Sequence, residues 1–261
     1  MPNRTGFYPN YIALQTMLRK EIWRFMRIWS QTLLPPAITM SLYFIIFGKF
    51  IGSQIRHIDG YAYIQYIVPG LVMMSIMTNA YANTASSFFL TKFNKSIEEM
   101  LVSPMSNLVV LLGFMLGGTV RGVLVGIIVT VIGFLFTHIP MSHLSIIFIM
   151  AVLSAMVFSL GGLINGIYAK RFDDISFIPT FVLTPLTYLG GVFYSIDQLP
   201  PLWRDISKIN PILAMVDSFR FGMLGISDLN IYFGFILVCG LFIFLFFWAW
   251  QLLNKGVGIK V

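Results

Sequence analysis

Residues 107–136 read NLVVLLGFMLGGTVRGVLVGIIVTVIGFLF, a run interrupted by one charge, Arg121. About 20 mainly apolar residues suffice to cross the hydrocarbon of a bilayer as a helix. In lipid every backbone N–H and C=O must be paired within the segment, so the run is read as a transmembrane helix and the chain as an all-α integral membrane protein. Gly113 and Gly117 are four apart, as are Gly118, Gly122 and Gly126, a spacing that lets helix backbones approach closely in lipid. This helix should pack tightly against a neighbour, either another span of the chain or a second copy. Arg121 falls about fourteen residues in, roughly 21 Å along the axis. A charge at that depth is costly unless it faces protein or water. With no carboxylate at comparable depth in another expected span, Arg121 is expected to line a water-filled path suited to an anionic headgroup or glycan. The alternatives are a bond to backbone carbonyls and a side chain reaching back to the interface.

The rest of the chain is of the same kind. Of 261 residues, 57% are hydrophobic and 10% charged, with a mean hydropathy of +0.84, whereas soluble domains carry roughly 25% charged residues. Apolar windows at 33–51, 62–90, 107–136, 143–168, 176–194 and 230–252 give six expected transmembrane helices. The chain is then a single membrane domain, 1–261: a cytoplasmic or interfacial segment (1–32), a six-span core (33–252) and a cytoplasmic tail (253–261). The net charge of +7 would raise nucleic acid as a partner of a soluble protein. Here it is read as the Lys and Arg excess of cytoplasmic flanks, with no nucleic-acid partner. Arg19, Lys20, Arg24 and Arg27 precede the first span, and Lys92, Lys95, Lys170, Arg171 and Lys255 share that side if six spans alternate. Both termini are therefore expected in the cytoplasm. Cys239 is the single cysteine, which excludes an intrachain disulfide. The first thirty residues lack the apolar core and cleavage site of a signal peptide.

Between the spans lie four segments with character of their own. Tyr11–Trp29 is amphipathic at helical spacing, with Leu14, Leu18, Ile22, Phe25 and Trp29 on one face and Lys20, Arg24 and Arg27 on another. That pattern suits a helix half sunk among lipid headgroups. The stretch KFNKSIEEMLVSPMS, residues 92–106, reads as a short cytoplasmic helix: Ser96 and Glu99 form a capping box, and Pro104 ends it. Its apolar edge, Ile97, Met100 and Leu101, asks for a surface to pack on. With Glu98 and Glu99 present, a protein partner fits better than an anionic leaflet, and a solvated capped turn is the plain alternative. In the fifth window Pro179 and Pro185 free carbonyls that Thr180, Thr184 and Thr187 can bond, so a kinked helix is expected. Asp173 and Asp174 beside Lys170 and Arg171 read as a salt-bridged loop rather than a metal or acid–base site. Before the last span, Pro200–Lys208 and Pro211–Leu224 form two helices broken at Asn210-Pro211, a re-entrant or interfacial hairpin on the outer side.

Enzymatic signals are weak. The sequence holds no GxxxxGK[ST] phosphate loop, HExxH zinc site, CxxC pair or GxSxG elbow, so neither catalytic nor metal-binding residues are expected. An ion-coupled secondary transporter remains as an alternative, although such carriers place several ionisable groups at mid-membrane.

Three stretches carry a resemblance: IEEMLVSPMS after the second span, FDDISFIPTFVLTPLTYLGGVFYSIDQLPP through the fifth, and NPILAMVDSFRFGMLG before the sixth. In these the chain resembles the type-2 ABC transporter permeases, the bacterial export class that includes drug, polysaccharide and nodulation-factor exporters. The resemblance implies a six-helix permease subunit of an ATP-driven exporter in the bacterial inner membrane. It would work as a homodimer surrounded by lipid, with a separate ATPase subunit that holds ATP and magnesium; no cofactor belongs to this chain. The cargo class implied is an amphipathic drug, lipid or glycan. Ser96–Ser103 would be the coupling helix seated on that ATPase, with Pro104 closing it. Arg121, Pro185, Asn210, Pro211 and Arg220 would belong to the translocation path or its outer gate.

Overall fold

The computed structural model describes residues 7–52, 54, 57–58, 60–97, 100 and 105–258. A long helix, α1 (Phe7–Arg27), leads through a single turn, α2 (Trp29–Thr32), into α3 (Leu34–Tyr43), which continues as a π-helical stretch, Phe44–Ile51. Pro35 and Pro36 occupy the first turn of α3, where an N–H has no acceptor within the helix. A two-residue hairpin, β1 (His57–Ile58) paired antiparallel with β2 (Tyr61–Ala62), opens into α4 (Tyr63–Phe93). Next come α5 (Asn107–Phe136) and α6 (Leu144–Tyr168). The fifth apolar segment is broken into α7 (Phe172–Ile178), a π-helical Pro179–Leu183 and α8 (Thr184–Tyr188). Last are a 3-10 turn (Ile196–Gln198), α9 (Pro201–Ile209), α10 (Pro211–Leu224) and α11 (Ile231–Lys255).

Helices thus stand at every apolar window. Among the described residues, four are both long and apolar enough to cross a membrane: Trp29–Gly48, Asn107–Phe136, Leu144–Tyr168 and Ile231–Lys255. The other two depart for different reasons. α4 has 31 residues but is the hub of the bundle, packed on α5, α6 and α10. Protein rather than lipid surrounds it, so it tolerates the polar row Ser75, Asn79, Asn83, Ser87 and Thr91. The fifth segment is short. It ends at Tyr188 because the chain turns at Gly190-Gly191, with Gly191 at φ +64°, a conformation that favours glycine. Its kink is repaired by hydroxyls: Thr184 Oγ1 donates to Pro179 O at 2.9 Å and Thr187 Oγ1 to Leu183 O at 2.7 Å.

α7 starts earlier than the sequence window because Asp174 ends the loop before it. Its carboxylate accepts the Lys170 and Arg171 backbone N–H groups at 2.8 and 3.0 Å. A helix start capped by backbone bonds thus replaces the expected salt-bridged loop.

α1 differs from its amphipathic reading. The row it buries is Met17, Glu21 and Phe25, while Trp23 and Trp29 are exposed. The reason is the way it packs on α5. Asn10 Oδ1 accepts the Ser106 N–H, and a Cβ added at Gly113 or Gly117 would touch Met17 or Glu21. These pairs keep one offset, 96 (106 − 10, 113 − 17, 117 − 21), so the two helices run side by side and parallel. On the far side of the bundle α11 exposes Tyr232, Ile236, Phe244 and Phe247, a surface that only an apolar solvent or a partner would tolerate.

Candidate functional site

Polar side chains gather at two places along α4. The first is near the end where α1, α5 and α4 meet. Gly117 brings the backbones of α1 and α5 close enough that an added Cβ would lie 2.6 Å from Glu21 Cβ, and Gly118 meets α4 so tightly that its Cβ would fall 2.1 Å from Thr84 Oγ1. Gly113 faces Met17, while Gly122 and Gly126 face Ala80 and Ile76. The two glycine rows therefore serve two different neighbours within the chain, α1 and α4. Into this junction α1 carries Glu21, fully buried at 0% exposure. Its carboxylate accepts the Ser87 hydroxyl at 2.7 Å and Arg24 Nη2 at 3.4 Å. Arg24 also donates to Asn83 Oδ1 at 2.7 Å and Asn83 O at 3.2 Å.

Arg121 completes the group. Its Nη1 donates to Asn83 Oδ1 at 3.4 Å, and its Nη2 donates to Asn79 Oδ1 and Thr32 O, both at 3.3 Å. Of the alternatives open to it, this geometry is the carbonyl-bonded one, extended to two side-chain amides. Sequence reasoning singled out Arg121 but missed Glu21, Asn79, Asn83 and Ser87. The signal was present: Ser75, Asn79, Asn83, Ser87 and Thr91 recur every four residues, one slowly turning polar row on α4.

The second gathering is the hairpin that precedes α11. Asn210 caps α10 through its side-chain oxygen, which accepts the Ile212 N–H at 3.0 Å, while its Nδ2 donates to Leu186 O at 2.6 Å. One residue thus ends α9, starts α10 with Pro211 in its first turn, and ties the hairpin to α8 just after Pro185. Arg220, 1% exposed, donates to Gly191 O, lies over the Tyr66 ring at 4.1 Å, and stands 3.9 Å from Asp217 Oδ1. Asp217 does more than pair with it. Its oxygens accept the Ser227 hydroxyl at 2.6 Å and the N–H groups of Asp228 and Leu229 at 2.8 and 3.0 Å, which closes the turn after Gly225. Asp228 in turn accepts the Ser195 hydroxyl and the Ile196 N–H. Tyr61 and Tyr63, at the start of α4, donate to Leu224 O and Phe193 O. Pro185, Asn210, Pro211 and Arg220 are thereby brought together with Asp217, whose i, i+3 spacing had suggested a pair with Arg220, and with Tyr66 and Asp228, which sequence reasoning had not assigned to this place; Arg121 belongs to the other cluster.

Of the expected coupling segment, Glu98, Glu99, Leu101 and Pro104 lie outside the described residues. Ser96 Oγ donates back to Thr91 O at 3.1 Å, and Ile97 is buried with Met17, Phe88 and Val109, with Met100 packed beside them. Ile97 and Met100 thus pack on the chain's own α1, α4 and α5. At the neighbouring end of α6, Lys92 Nζ bonds Ile167 O and Ala169 O at 2.7 and 2.9 Å, satisfying carbonyls the helix leaves free.

Comparison with known proteins agrees with this architecture. The pattern of the ABC-2 type transporter family matches residues 12–224. The inner membrane transport permease YadH of Escherichia coli K12 is 51% identical over 250 residues, covering 96% of this chain and 98% of its own. Nodulation protein J of Rhizobium leguminosarum bv. viciae is 25% identical over 73% of this chain and 74% of its own, and that of Neorhizobium galegae 21% identical over 86% of each. The matched stretch runs from α1 to the end of α10 and so holds the first polar cluster and, of the second, Tyr66, Pro185, Asn210, Pro211, Asp217 and Arg220: the chain belongs to the ABC-2 type transporter family, as a membrane permease subunit.

Proposed function

We propose that this chain is the membrane half of an ATP-driven exporter of a bacterial inner membrane, working as a pair of copies with a separate ATPase subunit that holds ATP and magnesium. One observation carries the reading: 51% identity to a transport permease over 96% of the chain, in a sequence with no phosphate loop of its own. The energy source has to sit elsewhere. The six spans are α3 with its π-helical end, α4, α5, α6, α7–α8 and α11, with both termini in the cytoplasm and α1 packed along the first half of α5.

Ser96–Pro104 is the coupling element. Support comes from Ile97 and Met100, fastened to the cluster of Met17 and Val109, so that a push on this segment reaches α1 and the start of α5 through side-chain contact. The α9–α10 hairpin is the re-entrant outer gate, hinged at Pro185 and latched by Asn210, Pro211 and Arg220. In favour of an interfacial seat, Leu202, Ile206 and Ile209 leave one side of α9 exposed and apolar. A groove lined by Met74, Thr78, Tyr81, Thr184, Thr187 and Tyr188 offers an amphipathic drug, lipid or glycan a way along α4, and Arg121 belongs to the separate cluster on the Asn79 and Asn83 row.

Co-purification tests the proposal. The wild-type chain is expected to retain a soluble ATPase that Glu98→Lys with Glu99→Lys releases, with loss of ATP-dependent export. Undiminished docking of the ATPase on that variant would refute the coupling role. Transport driven by an ion gradient without any ATPase would assign the chain to the secondary transporters.

A further inference from the structure

At the junction of α1, α4 and α5 three buried donors have no acceptor among the described residues: Arg24 Nε, Arg121 Nε and Asn83 Nδ2. They belong to side chains already joined through Asn83 Oδ1. Charge does not balance there either. Glu21 is engaged by Ser87 and Arg24, and Arg121 meets only neutral oxygens, those of Thr32, Asn79 and Asn83. Two guanidiniums against one carboxylate leave one positive charge without a counter-ion. Buried donors are nearly always paired, and an exception of this kind calls for a ligand, ion or water.

The level of the cluster indicates which anion. Counted along α5, Arg121 is deep, but the turns before it run beside α1, and its guanidinium reaches Thr32, near the start of the apolar helix Trp29–Gly48. From Thr32 to Ile51 the chain rises roughly 28 Å at 1.5 Å per residue, close to the thickness of a bilayer's hydrocarbon. Arg121 therefore lies toward the end of the bundle at which that helix begins. Arg24 keeps 26% of its side chain exposed, which leaves a way in. A planar guanidinium grips phosphate through paired donors.

We propose that Arg24, Arg121 and Asn83 bind the phosphate of an anionic phospholipid in the leaflet at that end of the bundle. The inference concerns binding by this chain alone. Its experiment contains no ATPase, so failure of lipid binding and failure of export are separate results.

The full chain, delipidated in detergent, is titrated with phosphatidylglycerol, phosphatidylcholine or inorganic phosphate while its melting temperature is followed. Phosphatidylglycerol is expected to raise the melting temperature, and the other two to leave it unchanged. Arg121→Gln and Asn83→Ala should weaken the phosphatidylglycerol response roughly tenfold. Arg121→Lys, which keeps the charge and loses the fork, should weaken it less. Arg27→Gln, an exposed change on the same helix, should not alter it. If Arg121→Gln does not fold, Asn83→Ala and Arg121→Lys carry the comparison. An equal response to inorganic phosphate would assign the cluster to a free anion and overturn the lipid. A loss as large in Arg27→Gln as in Asn83→Ala would reduce the effect to general surface charge and overturn the site.

Discussion

Arg220 and Asn210 show what a polar side chain does when it has no water to fall back on. Arg220 spends its charge on a carbonyl, an aromatic face and a distant carboxylate, and removing one member of a buried charged group leaves the others uncompensated. Arg220→Met should destabilise the folded chain by about 3 kcal/mol, read from reversible unfolding in mixed detergent, and Arg220→Lys should recover only part because an ammonium cannot stack as a plane. Asn210 separates into two functions. Asn210→Ser keeps the cap and loses the reach to Leu186 O, at a cost of about 1 kcal/mol; Asn210→Ala loses both, about 2 kcal/mol. Equal costs for the two variants would mean that the cap on Ile212 N–H contributes nothing. At this scale legibility was uneven. Arg121 stood out as a lone charge in an apolar run, whereas Glu21 did not, because an amphipathic pattern sorts every charged residue onto the wet face. Arg24 was misplaced for the same reason. A helix that buries charge against another helix has the same spacing as one that shows it to water.

Helix α5 was the most legible element, and its glycines explain both what could be read and what could not. The small-residue spacing declares a close approach but not a partner, since one row of glycines fits any backbone. Gly113 and Gly117 turn out to serve α1, and Gly118, Gly122 and Gly126 serve α4. Gly118→Ala would put a methyl 2.1 Å from Thr84 Oγ1 and 2.9 Å from the Ala80 carbonyl, where the backbone cannot yield; a loss of about 1–3 kcal/mol is expected. Gly240→Ala is the control. It lies inside α11 with nothing within 4 Å of the added methyl, so the gain of up to about 1 kcal/mol in helix propensity should be realised. Melting temperatures that fall for the first and hold or rise for the second would match the packing; a fall in both would mean that Gly240 faces a neighbour. The fifth segment was read one turn too far at its outer end, because apolar composition continues through Gly190-Gly191 after the helix has stopped. Its start was late because Asp174 was weighed as an ion-pair member, and its backbone bonds decide the matter.

Taken whole, the molecule sorts its charge by end. The C-terminal end of α4 bonds the end of α6 through Lys92, Asn107 at the start of α5 bonds Asn254 at the end of α11, and Asn10 of α1 bonds Ser106. One end of the bundle thus collects Lys92, Lys95, Lys170, Arg171 and Lys255, together with the basic residues of α1. The hairpin belongs to the other end, where Arg204 pairs with Asp197 and Lys208 with Asp205. Basic flanks stay on the cytoplasmic side during insertion, while balanced segments translocate. The fold therefore supplies a reason for orientation that span counting alone does not, because it places these flanks side by side whether or not α7–α8 crosses completely. In a Cys239→Ser background, Asp205→Cys, whose position is 75% exposed in the native side chain, should react with a membrane-impermeant maleimide in intact cells. Lys255→Cys should react only after permeabilisation. Labelling of both from outside would place the two ends of α11 on one side of the membrane, and would refute not merely the orientation but the reading of Ile231–Lys255 as a span.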